Sequence, residues 1–325
     1  MALSASKNFT VTRDDIITMA LRKIGANDAA DVIPATELSA AALSLNTLVK
    51  EWTGEGLALW LRRTCVLFLQ SGQQRYKVGS GTTAFCVNQD SIYYGTLTTA
   101  LTTASTTLVV TTWYDYQDKV VSTNLGTGYA AIRLDSGVMD FCPITASSAT
   151  GATFSGTPVD SAAAIGAKVY AFTTTSMITR PVRVLSATRL NNNGNTAEIS
   201  LIGRADYDLL SQKNSSGNPT QMHFDPQLDA AQFLVWPVAN STDTNQIVMT
   251  LEFYPDDFDA AANNPEFPIE WANALVWNLA MEMSFEYGTD VRTRTQVAQI
   301  AISKKNILFD TADRENASVT FAVSQ

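Results

Sequence analysis

The stretch Phe267–Gly288, FPIEWANALVWNLAMEMSFEYG, decides how the chain folds, because it carries the most heavily apolar helical pattern in the sequence. Ala272, Leu275, Val276, Leu279 and Met283 recur at spacings of three and four, which lines them on one face of a helix. Pro268 suits the first helical position, where no backbone N–H is needed, and Glu270 complements the positive end of the helix dipole. Gly288 can take the left-handed conformation that closes the helix. Asp290 is then placed to cap a second helix with the stripe Val297, Ile300, Ala301, Lys304 and Leu308, Lys304 contributing its aliphatic stem. These two segments predict a helical hairpin near the C-terminal end, with apolar faces that need a partner.

The partner is expected at the opposite end of the chain. Thr12 and Asp15 have the spacing of a capping box, and Ile17, Ala20, Leu21 and Ile24 follow as an apolar stripe. Arg22 and Lys23 fall in the last turn, where cations are favoured, and Gly25 ends the helix. After a loop containing Pro34, Thr36 is a candidate cap for a longer helix. Leu38, Ala41, Ala42, Leu45, Leu48, Val49 and Trp52 keep helical spacing along it until Gly54 and Gly56. The first sixty residues therefore read as a second hairpin. The face of Leu45, Leu48 and Trp52 is expected to meet that of Leu275, Val276 and Leu279.

Between the hairpins the period changes from 3.6 to 2. Thr64–Gln70 and Gln74–Val78 flank Gly72 as strands, and Ser91–Thr98 reads as another. From Gly95 to Thr175 the composition shifts to Thr, Ser, Ala and Gly, with short apolar runs at Leu108–Val110, Lys119–Val121, Ala130–Leu134, Val138–Phe141 and Val169–Phe172. Asp135, Ser136 and Gly137 between two of these runs are a hairpin signal. Strands are expected again from Arg180, after the Asn-rich turn Asn191–Asn195, and at Pro219–Phe224, Phe233–Pro237 and Val248–Phe253, with a short helical turn at Arg204–Asp208. An acidic loop, Asp256–Pro265, returns to the opening helix.

The fold class expected is α+β: a helical bundle made by the two hairpins, with a large inserted β region of a sheet plus a small β sandwich or barrel. The domain boundaries are 1–60 with 266–316 for the helices, 61–94 with 176–265 for the β domain, 95–175 for the inserted sandwich or barrel, and 317–325 for a C-terminal arm. In that arm Val319, Phe321 and Val323 alternate with polar or small residues, the period of a strand with one apolar face.

Composition narrows the function. The 325 residues carry 22 Lys and Arg against 31 Asp and Glu, a net charge of −9, which argues against a surface built to neutralise DNA phosphates. No apolar run is long enough to span a bilayer, and the opening MALSASKNF lacks the apolar core of a signal peptide. Cys65, Cys86 and Cys142 are widely spaced with no metal-ligand pattern, and read as thiols of a protein folded in a reducing cytoplasm.

Several segments together carry a resemblance. ALRKIGA (Ala20–Ala26) and ATELSAAALSLNTLVKEWTGEG (Ala35–Gly56) resemble the opening of head-to-tail adaptor proteins of short-tailed bacteriophages, also called connector, tail tubular protein A or packaged-DNA stabilisation proteins. RPVRVLSA (Arg180–Ala187), ISLIGRADYDLLSQKNSSGNPTQMHFDP (Ile199–Pro226) and FLVWPV (Phe233–Val238) resemble the β segment of the larger members, and FPIEWANALVWNLAMEMSFEYG resembles their C-terminal hairpin. The resemblance covers residues 10–60 and 178–310. It implies a structural virion protein at the head–tail junction, assembled in the host cytoplasm as a homo-oligomeric ring, a dodecamer, below the portal protein. Such a ring meets tail nozzle, fibre or spike proteins and passes double-stranded DNA through its channel without reading sequence. It also implies that the C-terminal arm of Val319, Phe321 and Val323 docks on the portal or a neighbour, while the strand pattern itself equally allows docking on the subunit's own β domain. The smallest members lack most of the β region, so no role is carried over to Gly95–Thr175.

His223, the only histidine, has Ser211, Ser215, Ser216 and Asp225 near it in sequence, but no G-x-S-x-G elbow exists, and the residue reads as a half-exposed, hydrogen-bonded strand histidine. Asp256, Asp257 and Asp259 could offer oxygen ligands to a hard cation, yet lack the glycine and terminal Glu of an EF-hand loop and read as a solvated turn. Gly126, Gly128 and Ala131 partly match a dinucleotide fingerprint that runs into a β pattern, so they read as a turn. Trp113, Tyr114 and Tyr116 cluster in the inserted β region, where exposed aromatics could stack on sugar rings; Trp52, Trp271 and Trp277 read as helix packing. The expectation is an adaptor with no catalytic residues, metal or cofactor. The rival is a carbohydrate-binding virion module that attaches to the host through the inserted β domain.

Overall fold

The computed structural model describes residues 10–28, 32–56, 61–79, 86–121, 125–154, 159–191, 194–228, 230–240, 244–260 and 267–316, with the side chains of 244–245 and 311–316 left aside. The protein is mixed α+β and divides into two compact units, Met1–Leu61 with Tyr254–Gln325, and Arg62–Phe253. The helices in chain order are α1 (Arg13–Lys23), α2 (Ala35–Gly54), α3 (Arg204–Leu209), α4 (Ala272–Glu286) and α5 (Val291–Asn316). None of the described helices is long and apolar enough to cross a membrane.

In the first unit α1, α2, α4 and α5 share one apolar core, in which Leu45, Leu48, Trp52, Leu275, Val276 and Leu279 are all buried. Thr12 accepts from the Asp15 N–H while Asp15 accepts from the Thr12 N–H, so both first-turn donors are satisfied. Gly25 and Gly288 close α1 and α4 with φ of +71° and +60°. Deep in the core, Asn278 donates to the Ala301 carbonyl of α5 at 3.2 Å as well as to Ala274 in its own helix, which fixes how α4 and α5 register.

Several expectations for these helices are corrected. Thr36 is no cap: α2 starts at Ala35, and Pro34 stands at the cap, its fixed φ of −59° leading into the first turn. Pro268 sits one step earlier than expected, before a 3-10 turn at Ile269–Trp271 that feeds α4. Ile300 is exposed, while Val297, Ala301 and Leu308 are buried. The segment after Phe253 belongs with the helices, because Phe258 is buried among them and exchanges two hydrogen bonds with Asn46. Positions 261–265 of the acidic loop, and Val319, Phe321 and Val323 of the arm, lie outside the described residues.

The second unit is layered. A five-stranded sheet runs in the order Thr196–Glu198, Arg183–Asn191, Thr244–Glu252, Arg62–Phe68 and Cys86–Asn88. The strand Arg62–Phe68 is buried on both faces from Cys65 to Phe68, which explains its unbroken apolar run. Cys65 and Leu67 point to one core, shared with a four-stranded sheet that supplies Tyr76, Met222, Phe233 and Val235. Val66 and Phe68, on the alternate face, point to a second core with Ala131, Met139 and Phe172. Those three come from an eight-stranded sheet over Tyr93–Thr173 that curls into a half-barrel around Trp113, Ile132, Ile144 and Val169. Its curl brings Thr98 N–H to the Val109 carbonyl at 3.0 Å and Thr111 N–H to Thr96 at 3.3 Å. The region 95–175 is therefore packed into the larger β unit by a shared core.

Strand ends also shift from the sequence expectation. The strand expected from Arg180 begins at Arg183, and Met139–Ser148 runs well beyond the expected Phe141. The turn at Asp135–Gly137 joins its two strands as expected, with Gly137 at φ +81°.

Candidate functional site

The aromatic cluster of the curled sheet separates into three roles. Trp113 is wholly buried in the half-barrel core. Tyr114 pairs across the strands with Tyr94, and their rings stack at 5.4 Å with 23° between planes. Tyr116 stands at the tip of the next loop, 52% exposed.

That loop is built around Asp115. Its N–H donates to the Lys119 carbonyl, its carbonyl accepts from Asp118 N–H, and its Oδ1 accepts from the N–H groups of Gln117 and Lys119 at 2.9 and 2.8 Å. Asp118 takes the left-handed conformation, φ +61°, which Asp tolerates better than most residues. Its carboxylate accepts the Tyr94 hydroxyl, and that bond raises the Tyr94 phenol to about 12. Tyr116 and Asp118 are thus held on a fixed frame.

Both residues line a cavity of about 190 Å3 between the curled and five-stranded sheets, with Tyr94, Tyr170, Gln89 and Gln246. A polar pocket of about 400 Å3, with Arg133, Asp135 and Asn191, adjoins it and shares Lys168, Tyr170 and Leu190. Gln246 is 3% exposed, and its Nε2 has no hydrogen-bond partner among the described residues. Burial raises the Tyr170 phenol; the Gln246 amide approaches its hydroxyl and offsets part of that rise without completing a bond. A buried donor without a partner costs about 1–3 kcal/mol.

Of the cleft residues, sequence reading singled out Tyr116 alone. Tyr94, Asp118, Tyr170, Gln89 and Gln246 come from separate strands and turns joined by long-range pairing. Gln246 carried one faint signal: a long polar side chain on the same strand face as Val248, which points inward.

The other sequence candidates are dispersed. His223 is buried at 9% exposure, less accessible than expected, because its Nδ1 meets the Ile202 carbonyl at 2.9 Å and its ring stacks on Tyr207. Asp225 lies 3.7 Å from Arg204, and the Ser215 N–H bonds Gln212. Asp257 pairs with Lys50 at 2.9 Å. Gly126 forms a turn, and Gly128 opens a strand where a Cβ would lie 2.0 Å from the Phe172 carbonyl, so backbone packing explains this glycine. Trp52 and Trp271 lie 6.3 Å apart in the helical core, and Trp277 packs partly buried under Lys23. The three cysteines are free and buried; burial raises Cys65 and Cys142 to about 12 and Cys86 well above its ordinary value, which keeps them unreactive thiols.

The helical unit has a different kind of surface. On α5, Ile300 flanks one side of the buried stripe of Val297, Ala301 and Leu308, while Val291 and Ile302 flank the other. All three flanking residues are exposed, Val291 at 76% and Ile302 at 55%.

No protein-family model matches the chain, and no curated protein matches it either.

Proposed function

We propose that this protein is a structural adaptor, a ring-forming virion subunit that joins the portal to the tail, continues the DNA channel and retains packaged DNA. It acts without catalysis. The observation that carries the reading is the pair of apolar flanks on α5, Ile300 on one side and Val291 with Ile302 on the other. A cyclic ring joins unlike surfaces, so each subunit needs two different sticky faces. One long helix with apolar residues on both sides of its core-facing stripe supplies such a pair.

The helical unit would be the hairpin bundle implied by the resemblance, and Val319, Phe321 and Val323 would add as a strand to the portal or a neighbour. A net charge of −9 suits a conduit, since a lumen that repels phosphates lets DNA slide. The test is native mass measurement of the purified protein alone and mixed with portal. A closed oligomer on the portal is expected; a monomer in both samples would refute the reading.

A further inference from the structure

We infer that the cleft between the curled and five-stranded sheets of the β unit binds a neutral saccharide. The inference is independent of the adaptor reading, since it uses only groups within one β unit and holds equally for a monomer.

Three features of the cleft converge on this ligand class. Tyr116 offers an exposed ring on a loop whose backbone is fixed by four hydrogen bonds made by Asp115, so the backbone that presents the ring has little entropy left to lose. Aromatic faces of this kind pack on the C–H face of a pyranose. Gln246 also lines the cavity, its Nε2 is a buried donor with no partner among the described residues, and a ligand hydroxyl would satisfy it. Asp118, a third lining residue, spends one contact on the Tyr94 hydroxyl and keeps acceptor capacity for a ligand O–H. A donor amide and an acceptor carboxylate lining one cavity with an aromatic ring match hydroxyl groups, which both donate and accept.

Size and charge exclude the competing classes. About 190 Å3 holds a single ring-sized molecule, and the adjoining 400 Å3 pocket leaves room for a second residue of a chain. Lys168 and Arg133 are matched by Asp118 and Asp135 around the two pockets, so neither an anionic nor a cationic ligand is favoured. A purely apolar ligand would leave Gln246 unpaired and desolvate Asp118.

The test uses the full chain. Saturation-transfer NMR would be run with the methyl glycosides of glucose, galactose, mannose, N-acetylglucosamine and rhamnose, with indole as an aromatic control. At least one glycoside is expected to bind. The affinity for it should fall about tenfold or more in both Tyr116→Ala and Gln246→Leu, since each removes one ligand contact. Gln246→Leu should melt no lower than the parent, because it removes an unpaired amide; should it fail to fold, Tyr116→Ala, an exposed position, carries the test alone. Binding of indole with no glycoside, no binding at all, or unchanged glycoside affinity in a folded variant would each overturn the assignment.

Discussion

Phe68 of the five-stranded sheet and Phe172 of the curled sheet stack face to face, ring centroids 5.6 Å apart and planes 16° from parallel. Phe141 and Tyr170 pack on the same Phe68 ring at 6.0 and 5.4 Å. The core between the two sheets is therefore centred on one side chain. Phe68→Ala should cost about 3–5 kcal/mol, the range for emptying a buried aromatic site. Excision of 95–175 should fail to give a soluble remainder, because it uncovers Val66, Phe68 and Val87 together. Urea unfolding of the variant and solubility of the deletion check both; a well-folded deletion protein would show the curled sheet to be an independent module.

Glu252 makes a second prediction. It is 1% exposed at the end of its strand, with Arg62 and Arg183 directly opposite on the two neighbouring strands. Arg183 donates to Oε2 from Nε and Nη2 at 3.1 and 2.9 Å, and Arg62 lies 3.6 Å away. Glu252→Ala removes the buried carboxylate that both guanidinium groups approach. A loss of about 3 kcal/mol is expected, the low end of the range for a broken buried pair, because Arg183 is half-exposed and partly hydrated. Denaturant midpoints measure it, and a change below about 0.5 kcal/mol, the scatter of ordinary surface substitutions, would show that the carboxylate contributes little.

The helical unit was largely legible because its signals are local. Ile17, Ala20 and Leu21 recur at 3.6-residue spacing, Thr12 and Asp15 cap within one turn, and Gly25 stops the helix, all inside a fifteen-residue window. Sequence reading failed where a competing local reason existed: Pro34 outranks Thr36 at the start of α2, and Ile300 is apolar yet faces away from the core. The β unit was legible as strands and opaque as topology. Arg62–Phe68 pairs with Thr244–Glu252, and no local pattern specifies a partner that far along the chain. The cleft inherits that opacity, since Tyr94, Tyr116, Tyr170 and Gln246 meet only after the sheets are assembled. His223 was read as half-exposed for the same reason, as Ile202 and Tyr207 cover it from a separate segment.

A third prediction concerns pH. Glu282 on α4 is half-buried, and its carboxyl is pushed up from 4.5 to about 7, first by burial and then by Glu51 and Glu286, with Lys305 pulling the other way. A carboxyl with a higher pKa folded than unfolded binds more protons in the folded state between these values. Its favourable contribution is complete below about pH 4.5 and is lost as pH rises through about 7. Glu282→Gln stays neutral throughout. The variant should match the parent at pH 4 and exceed it at pH 8 by roughly 1 kcal/mol, a figure reduced for solvent screening of a half-exposed group. Melting temperatures of both proteins across this range test it; equal melting at every pH would show that water hydrates the carboxylate fully.

The last prediction tests the two flanks of α5 against each other. Ile300 and Ile302 are close in sequence but point to opposite sides of the stripe formed by Val297, Ala301 and Leu308. Ile302 is 55% exposed and Ile300 37%, so Ile302→Asp should change monomer stability by no more than about 0.5 kcal/mol and Ile300→Asp by about 1 kcal/mol, leaving both folded. In a ring of unlike contacts, either substitution removes one member of every joint, and each alone should abolish closed oligomers. Mixing the two variants is the discriminating step. One subunit then has an intact first flank and the other an intact second flank, so a single joint can form and propagation stops. Dimers, and nothing larger, are expected in the mixture, with monomers in each separate sample. If one substitution leaves assembly intact, that flank lies outside the joint. If the mixture restores full rings, the two residues do not sit on opposing faces of one contact, and assembly must run through another surface.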